Sequence, residues 1–77
     1  MNANFAAKIS SFFKYDSYSN ADIAKQFKIN KSTVAHIRKI YNDIRFRTIN
    51  SKSVSMLSKK HHVSNNMILA IAKVQEY

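Results

Sequence analysis

The chain has 77 residues, of which 13 are Lys or Arg and only four are Asp or Glu, so its formal net charge is +9. This length predicts one small domain, because segments below about 40 residues seldom hold a core alone. Cys is absent, which excludes disulfides and thiolate metal sites, and the absence of Gly excludes a glycine-rich phosphate loop. The charge favours a polyanionic partner, with nucleic acid the first candidate and an anionic membrane surface the second.

The composition and periodicity predict an all-α fold. Gly and Pro are both absent, and no segment alternates polar and apolar residues for long enough to indicate a strand. Residues 3–14 form the first predicted helix, with Phe5, Ile9, Phe12 and Phe13 on one face, and residues 15–18 form a loop. We expect this helix to pack across the next two. The prediction is a compact bundle of about five helices in a single domain, residues 1–77.

Residues 19–40 have the pattern of two helices joined by a tight turn. The first helix covers about 20–27, with Ser19 as its cap and Asp22 completing a capping box. The second runs from 31 to about 46, with Asn30 as its cap and a contact between Ile29 and Val34 across its start. Two short helices with interlocking apolar positions predict a helix-turn-helix.

On these residues the segment resembles the helix-turn-helix family of DNA-binding proteins. Ala24 stands where the family has a small residue, and the run from Ile29 to Ile37 is similar to the recognition helices of repressors, resolvases and transposase DNA-binding domains. The usual Gly of the turn is Lys28 here. A left-handed conformation there would cost Lys about 1 kcal/mol, so we expect a looser turn.

The resemblance implies that the second helix lies in the major groove of DNA. Its exposed N-terminal face then carries the residues that contact base edges, which are Lys31, Ser32, Ala35, His36 and Lys39. Ten of the 13 basic residues fall between positions 25 and 60, around this motif. The predicted phosphate contacts are Lys25, Lys28, Asn30, Thr33, Arg38, Arg45, Arg47, Lys52, Lys59 and Lys60.

The pattern recurs after a shift of about 34 residues, which predicts a second helix-turn-helix at 53–75 with helices near 53–61 and 64–75. Ser53 then matches the cap Ser19, Ser64 matches Asn30, and His61 takes the place of Phe27 as a poor core residue. Residues 65–74 are apolar nearly all round. They either pack into the shared core or form a homodimer surface. A tandem pair would resemble mariner-type transposases, and a dimer would resemble small phage repressors and bind a pseudo-palindrome.

The residues do not indicate an enzyme, a cofactor or a metal site. His61 and His62 are adjacent and point in different directions on a helix, and the four acidic residues show no paired spacing. No apolar run approaches the roughly 18 residues of a membrane span. We therefore expect a cytoplasmic, nucleoid-associated chain with no membrane partner.

These observations predict sequence-specific binding of double-stranded DNA by a small transcriptional regulator or a phage or mobile-element accessory protein. The alternative from another class is a basic helical interaction module that docks an acidic partner or inhibits an enzyme. Binding to a membrane surface is the third hypothesis, and only the first helix has the amphipathic character it needs.

Overall fold

The computed structural model describes residues 3–14 and 18–75, and within those ranges the chain folds into five helices and no strand. The helices are α1 (Ala3–Phe12), α2 (Asn20–Phe27), α3 (Lys31–Arg45), α4 (Ser51–His61) and α5 (Asn65–Val74). The predicted all-α bundle of about five helices is confirmed. The first helix ends two residues earlier than predicted, and residues 15–17 of the predicted loop lie outside the described residues.

A tight turn joins α2 to α3. The predicted capping box at the start of α2 is present, with the Asp22 amide donating to Ser19 Oγ at 3.2 Å. At its end Lys28 adopts the left-handed conformation, with φ of 57°. The Ile29 amide donates to the Ala24 carbonyl at 3.0 Å, which closes a compact C-terminal cap. The expected looser turn is therefore wrong, because this hydrogen bond and the packing of half-buried Ile29 offset the cost at Lys28.

Helix α3 begins as predicted after Asn30, but the side chain of Asn30 makes no capping hydrogen bond. Its main-chain carbonyl instead accepts from the amides of Thr33 and Val34, at 3.0 and 3.4 Å. The exposed amide side chain of Asn30 is therefore not used by the helix start, which corrects its predicted capping role. The helix ends at Arg45, one residue before the predicted end.

Helices α4 and α5 form a second pair with a similar turn. His62 has φ of 57°, and the Val63 amide donates to the Ser58 carbonyl at 3.0 Å. The left-handed residue therefore recurs 34 residues after Lys28. Ser64 caps α5 as predicted, with its Oγ accepting from the Met67 amide at 3.2 Å.

The start of α4 differs from the prediction. The cap is Asn50, and Ser53 is the third helical residue, so α4 begins two residues earlier than expected. The Ser53 amide donates to Asn50 Oδ1 at 3.0 Å, and the Asn50 amide donates to Ser53 Oγ at 2.9 Å. Both residues can cap a helix, and the reciprocal pair satisfies two amides where Ser53 alone would satisfy one.

A single cluster of buried side chains includes residues from all five helices. Helix α1 packs most extensively against α5 and also against α3, while the rings of Phe5 and Phe12 contact the ring of Phe27 on α2. Its position is therefore between the two helix pairs rather than across the first pair alone. The six largest fully buried side chains are Ile9, Ile23, Ile40, Leu57, Ile68 and Ile71.

Most of the apolar surface of α5 is covered within the single chain. Met67, Ile68, Ile71 and Ala72 are buried, whereas Leu69 is 49% exposed. Of the two alternatives for residues 65–74, packing into the shared core is therefore what the structure has. No helix of the described residues is both long and apolar enough to cross a membrane.

Candidate nucleic-acid interface

One side of α3 is exposed and carries all five residues predicted to contact bases. The opposite side is fixed in the core by Val34, Ile37 and Ile40, which are at most 2% exposed. This burial sets the rotation of α3 about its axis, so the residues on the opposite side of the helix face solvent. The exposed set, here called the α3 strip, comprises Lys31, Ser32, Ala35, His36 and Lys39.

The α3 strip can supply several kinds of contact to DNA. Lys31 and Ser32 lie in the first turn of α3, where the partial positive charge of the helix end also favours an anion. Lys31 can donate to guanine acceptors, Ser32 can donate or accept, and the small Ala35 allows close approach to a thymine methyl group. The strip contains no carboxylate, so nothing along it opposes a polyanion.

The predicted phosphate contacts divide by exposure. Thr33 and Arg38 are partly buried. The exposed residues are Lys25, Lys28, Asn30, Arg45, Arg47, Lys52, Lys59 and Lys60. Eight of the ten predicted phosphate contacts are therefore exposed to a ligand. Two of these eight, Arg47 and Lys60, already form ion pairs with Asp43.

Arg38 is bound within the fold. Its Nε donates to Asn20 Oδ1 at 2.6 Å, and its guanidinium also donates to the Tyr18 carbonyl at 3.3 Å. The guanidinium carbon lies 4.5 Å from the centre of the Phe13 ring. These contacts hold the beginning of α2 and the end of α1 against α3, so Arg38 has a structural role beside the predicted phosphate contact.

Asp43 is the centre of a charged cluster that sequence reasoning missed. Its carboxylate accepts from Lys60 Nζ at 2.9 Å, lies 2.9 Å from His61 Nε2, and accepts from Arg47 Nε at 3.0 Å. The hydrogen bond from Lys60, with those from His61 and Arg47, holds the pKa of Asp43 well below its usual value, although partial burial opposes the shift. Only the spacing of four residues between Asp43, near the end of α3, and Arg47, just beyond it, could have signalled this cluster.

A surface groove lies between the two helix pairs, where α3 meets the turn that joins α4 to α5. It has a volume of about 570 Å³ and is open to solvent. Its rim is polar, with hydroxyl and imidazole groups, and its floor is apolar. This inter-pair groove is lined by Ser32, Thr33, His36, Ile37 and Ile40 of α3 and by His62, Val63, Ser64 and Met67 of the second pair.

Two of the three histidines, His36 and His62, line this groove, and His61 lies beside His36. The rings of His36 and His61 have centres 6.3 Å apart. Among the described residues, no group of three or more His, Cys, Asp or Glu side chains could hold a metal ion.

No protein-family model matches this chain, and no curated protein or solved structure matches it either.

Proposed function

We propose that this protein binds double-stranded DNA in a sequence-specific manner, with residues 31–42 of α3 in the major groove. The observation that carries the proposal is the α3 strip, which is exposed along its whole length on a helix fixed by a buried opposite face. A helix of this kind, preceded by a short turn and a packed partner helix, is the element that enters the major groove in helix-turn-helix proteins.

The charge distribution supports the same proposal. Of the ten basic residues between positions 25 and 60, all but Arg38 are exposed. Contacts from these side chains to phosphate groups would position α3 without contributing sequence information. The biological role that follows is that of a small transcriptional regulator or an accessory protein of a phage or mobile element, acting at the nucleoid in the cytoplasm.

The proposal is made for one copy of the chain. The apolar side of α5 is buried internally, so a homodimer through residues 65–74 would use Leu69 as its large exposed apolar side chain. That homodimer remains a prediction of the sequence. Sedimentation equilibrium with and without DNA tests it, because a dimer that forms through α5 would dissociate when Leu69 is replaced by Asp.

The test of DNA recognition is selection of bound duplexes from a random pool at about 0.15 M salt. The variant is Lys31→Ala/His36→Ala, which removes two side chains of the α3 strip. The matched control is Lys8→Ala, which removes the same formal charge from the exposed side of α1. We expect an enriched motif, preferred by about 10³-fold or more over random duplex, that the double variant loses and the control retains.

Absence of any enriched motif, with binding that simply fades as salt rises, would overturn the proposal. It would favour the basic module that docks an acidic partner or inhibits an enzyme, because that interaction requires charge but no base contacts. The presence or loss of a selected motif distinguishes the two functions better than affinity does, because DNA binding and docking of an acidic partner both depend on charge.

A further inference from the structure

The inter-pair groove has a polar rim on both sides. Ser32, Thr33 and His36 lie on the α3 side, and His62 and Ser64 lie on the side of the second pair. All five side chains can donate a hydrogen bond, and none carries a negative charge. Two of them, Ser32 and His36, also belong to the α3 strip, so the groove opens beside the surface proposed to contact bases.

The charges around the groove favour an anionic occupant. Lys31 precedes Ser32 on one side, and Lys59 lies in the last turn of α4 that leads to His62 on the other. The acidic residue on this side of α3 is Asp43, two turns beyond His36. Its charge is compensated by Arg47 and Lys60, and its Oδ2 also lies 2.9 Å from His61 Nε2. Carboxylate repulsion is therefore weak here, and the net charge of +9 attracts a polyanion.

We propose that the inter-pair groove holds the sugar–phosphate backbone of the DNA strand that borders the major groove occupied by α3. The inference rests on the proposed function and extends it. His62 and Ser64 join Thr33 as backbone contacts, and Val63 and Met67 form an apolar floor for the deoxyribose. The second helix pair then positions the protein on the duplex by binding the backbone of one strand, and it does not contact bases.

The test uses a negative charge placed on the groove rim without loss of a helix cap. Ser64→Asp keeps the cap of α5, because Asp caps helices as well as Ser does. The matched control is Asn50→Asp, which keeps the cap of α4 and changes the net charge by the same amount. The control site lies about 16 Å from the groove end of α4, since the helix rises 1.5 Å per residue and has 11 residues.

We expect Ser64→Asp to weaken binding to the selected duplex by about tenfold more than Asn50→Asp at 0.1 M salt, because the added carboxylate faces phosphate at short range. The slope of log affinity against log salt should also fall in magnitude by about 0.9 more for Ser64→Asp, because the added carboxylate offsets the neutralisation of about one phosphate by the nearby basic side chains. Circular dichroism melting of both variants checks that the caps are intact.

A duplex with a single neutral methylphosphonate, moved along each strand in turn, locates the contact. The wild-type chain should lose affinity at every contacted phosphate, whereas Ser64→Asp should show no loss at the one or two adjacent positions that lie in the groove. Equal affinities and slopes for Ser64→Asp and Asn50→Asp would overturn the inference. If the wild-type chain selected no motif at all, the proposed function itself would fail, which is a separate outcome.

His62→Gly provides a second variant that does not depend on added charge. Gly accepts the left-handed backbone of this position without strain, so the turn is retained while the imidazole is removed. We expect weaker DNA binding together with an unchanged or higher melting temperature. A full retention of affinity would contradict a backbone contact by His62.

Discussion

His61 Nε2 lies 2.9 Å from Asp43 Oδ2, and this contact joins the buried end of α4 to the side of α3. Phe27 occupies the equivalent position in the first helix pair, where its ring packs against Phe5 and Phe12. The end of α4 is therefore held by a polar contact, whereas the end of α2 is held by aromatic packing. A histidine is accommodated at this buried position because it has a charged partner.

Removing the carboxylate of Asp43 should destabilise the fold. We expect Asp43→Asn to lower the free energy of unfolding by about 1–3 kcal/mol at pH 7, because Lys60 and buried His61 lose their anionic partner. Urea denaturation followed by circular dichroism measures the change. Asp22→Asn is the control, since it removes the same charge from an exposed position and should cost less than about 1 kcal/mol. Equal losses in the two variants would contradict the importance of the cluster.

The Asp43 cluster also predicts how stability depends on pH. The pKa of Asp43 is lower in the folded chain than in the unfolded chain, where an Asp side chain has a pKa of about 3.9. As pH falls, the unfolded state takes up this proton first, so the stabilisation is complete above about pH 5 and declines below about pH 4. The difference in unfolding free energy between wild type and Asp43→Asn should therefore shrink in acid. A difference that is constant from pH 7 to pH 3 would refute this.

Lys28 and His62 both hold a left-handed backbone conformation that costs a residue with a side chain about 1 kcal/mol. We expect Lys28→Gly and His62→Gly each to raise the free energy of unfolding by about 0.5–1 kcal/mol. The control Lys59→Gly places glycine inside α4, where it should lower stability by about 1 kcal/mol. Chemical denaturation of the three variants provides the comparison, and a loss of stability at both turns would show that their side chains matter more than the backbone strain.

The hydroxyl of Ser10 is fully buried on α1 and has no hydrogen-bond partner among the described residues. A buried polar atom without a partner costs about 1–3 kcal/mol. We expect Ser10→Ala to raise stability by up to about 1 kcal/mol, with part of the gain offset by a smaller packed volume. The neighbouring Ser11→Ala is the control, because Ser11 is exposed and should change stability by less than about 0.5 kcal/mol. Thermal melting of both variants measures whether the Ser10 hydroxyl lowers the stability of the fold.

Arg38 and Lys39 are adjacent in sequence but should behave differently. Arg38→Ala removes the hydrogen bonds to Asn20 and Tyr18, and we expect a loss of about 1–3 kcal/mol in unfolding free energy. Lys39→Ala removes an exposed side chain of the α3 strip, so its effect should appear in DNA affinity with stability changed by less than about 0.5 kcal/mol. Paired melting and DNA-titration experiments measure both quantities. An equal loss of stability in the two variants would contradict a structural role for Arg38 and a DNA-contacting role for Lys39.

Helix positions could be predicted from the sequence because their signals are local. Ser19 with Asp22, and Ser64 before an apolar run, lie within one helical turn of the amides they bind. Local signals do not always identify the cap, because Asn50 and Ser53 can both cap a helix and only the folded chain shows that Asn50 does so. The same limit explains Asn30, whose position at the helix start was predicted but whose side chain makes no capping bond.

The sequence by itself determined the all-α class, both ends of all five helices to within two residues, and which residues of α3 face away from the core. Tertiary structure decided how the two helix pairs meet: the Asp43 cluster across 17 and 18 residues, the anchoring of Arg38 on α2, and the groove between α3 and the second turn. The physical reason is that caps and helix faces depend on neighbours within about four residues. Partners across helices depend on distances that only the packed core establishes.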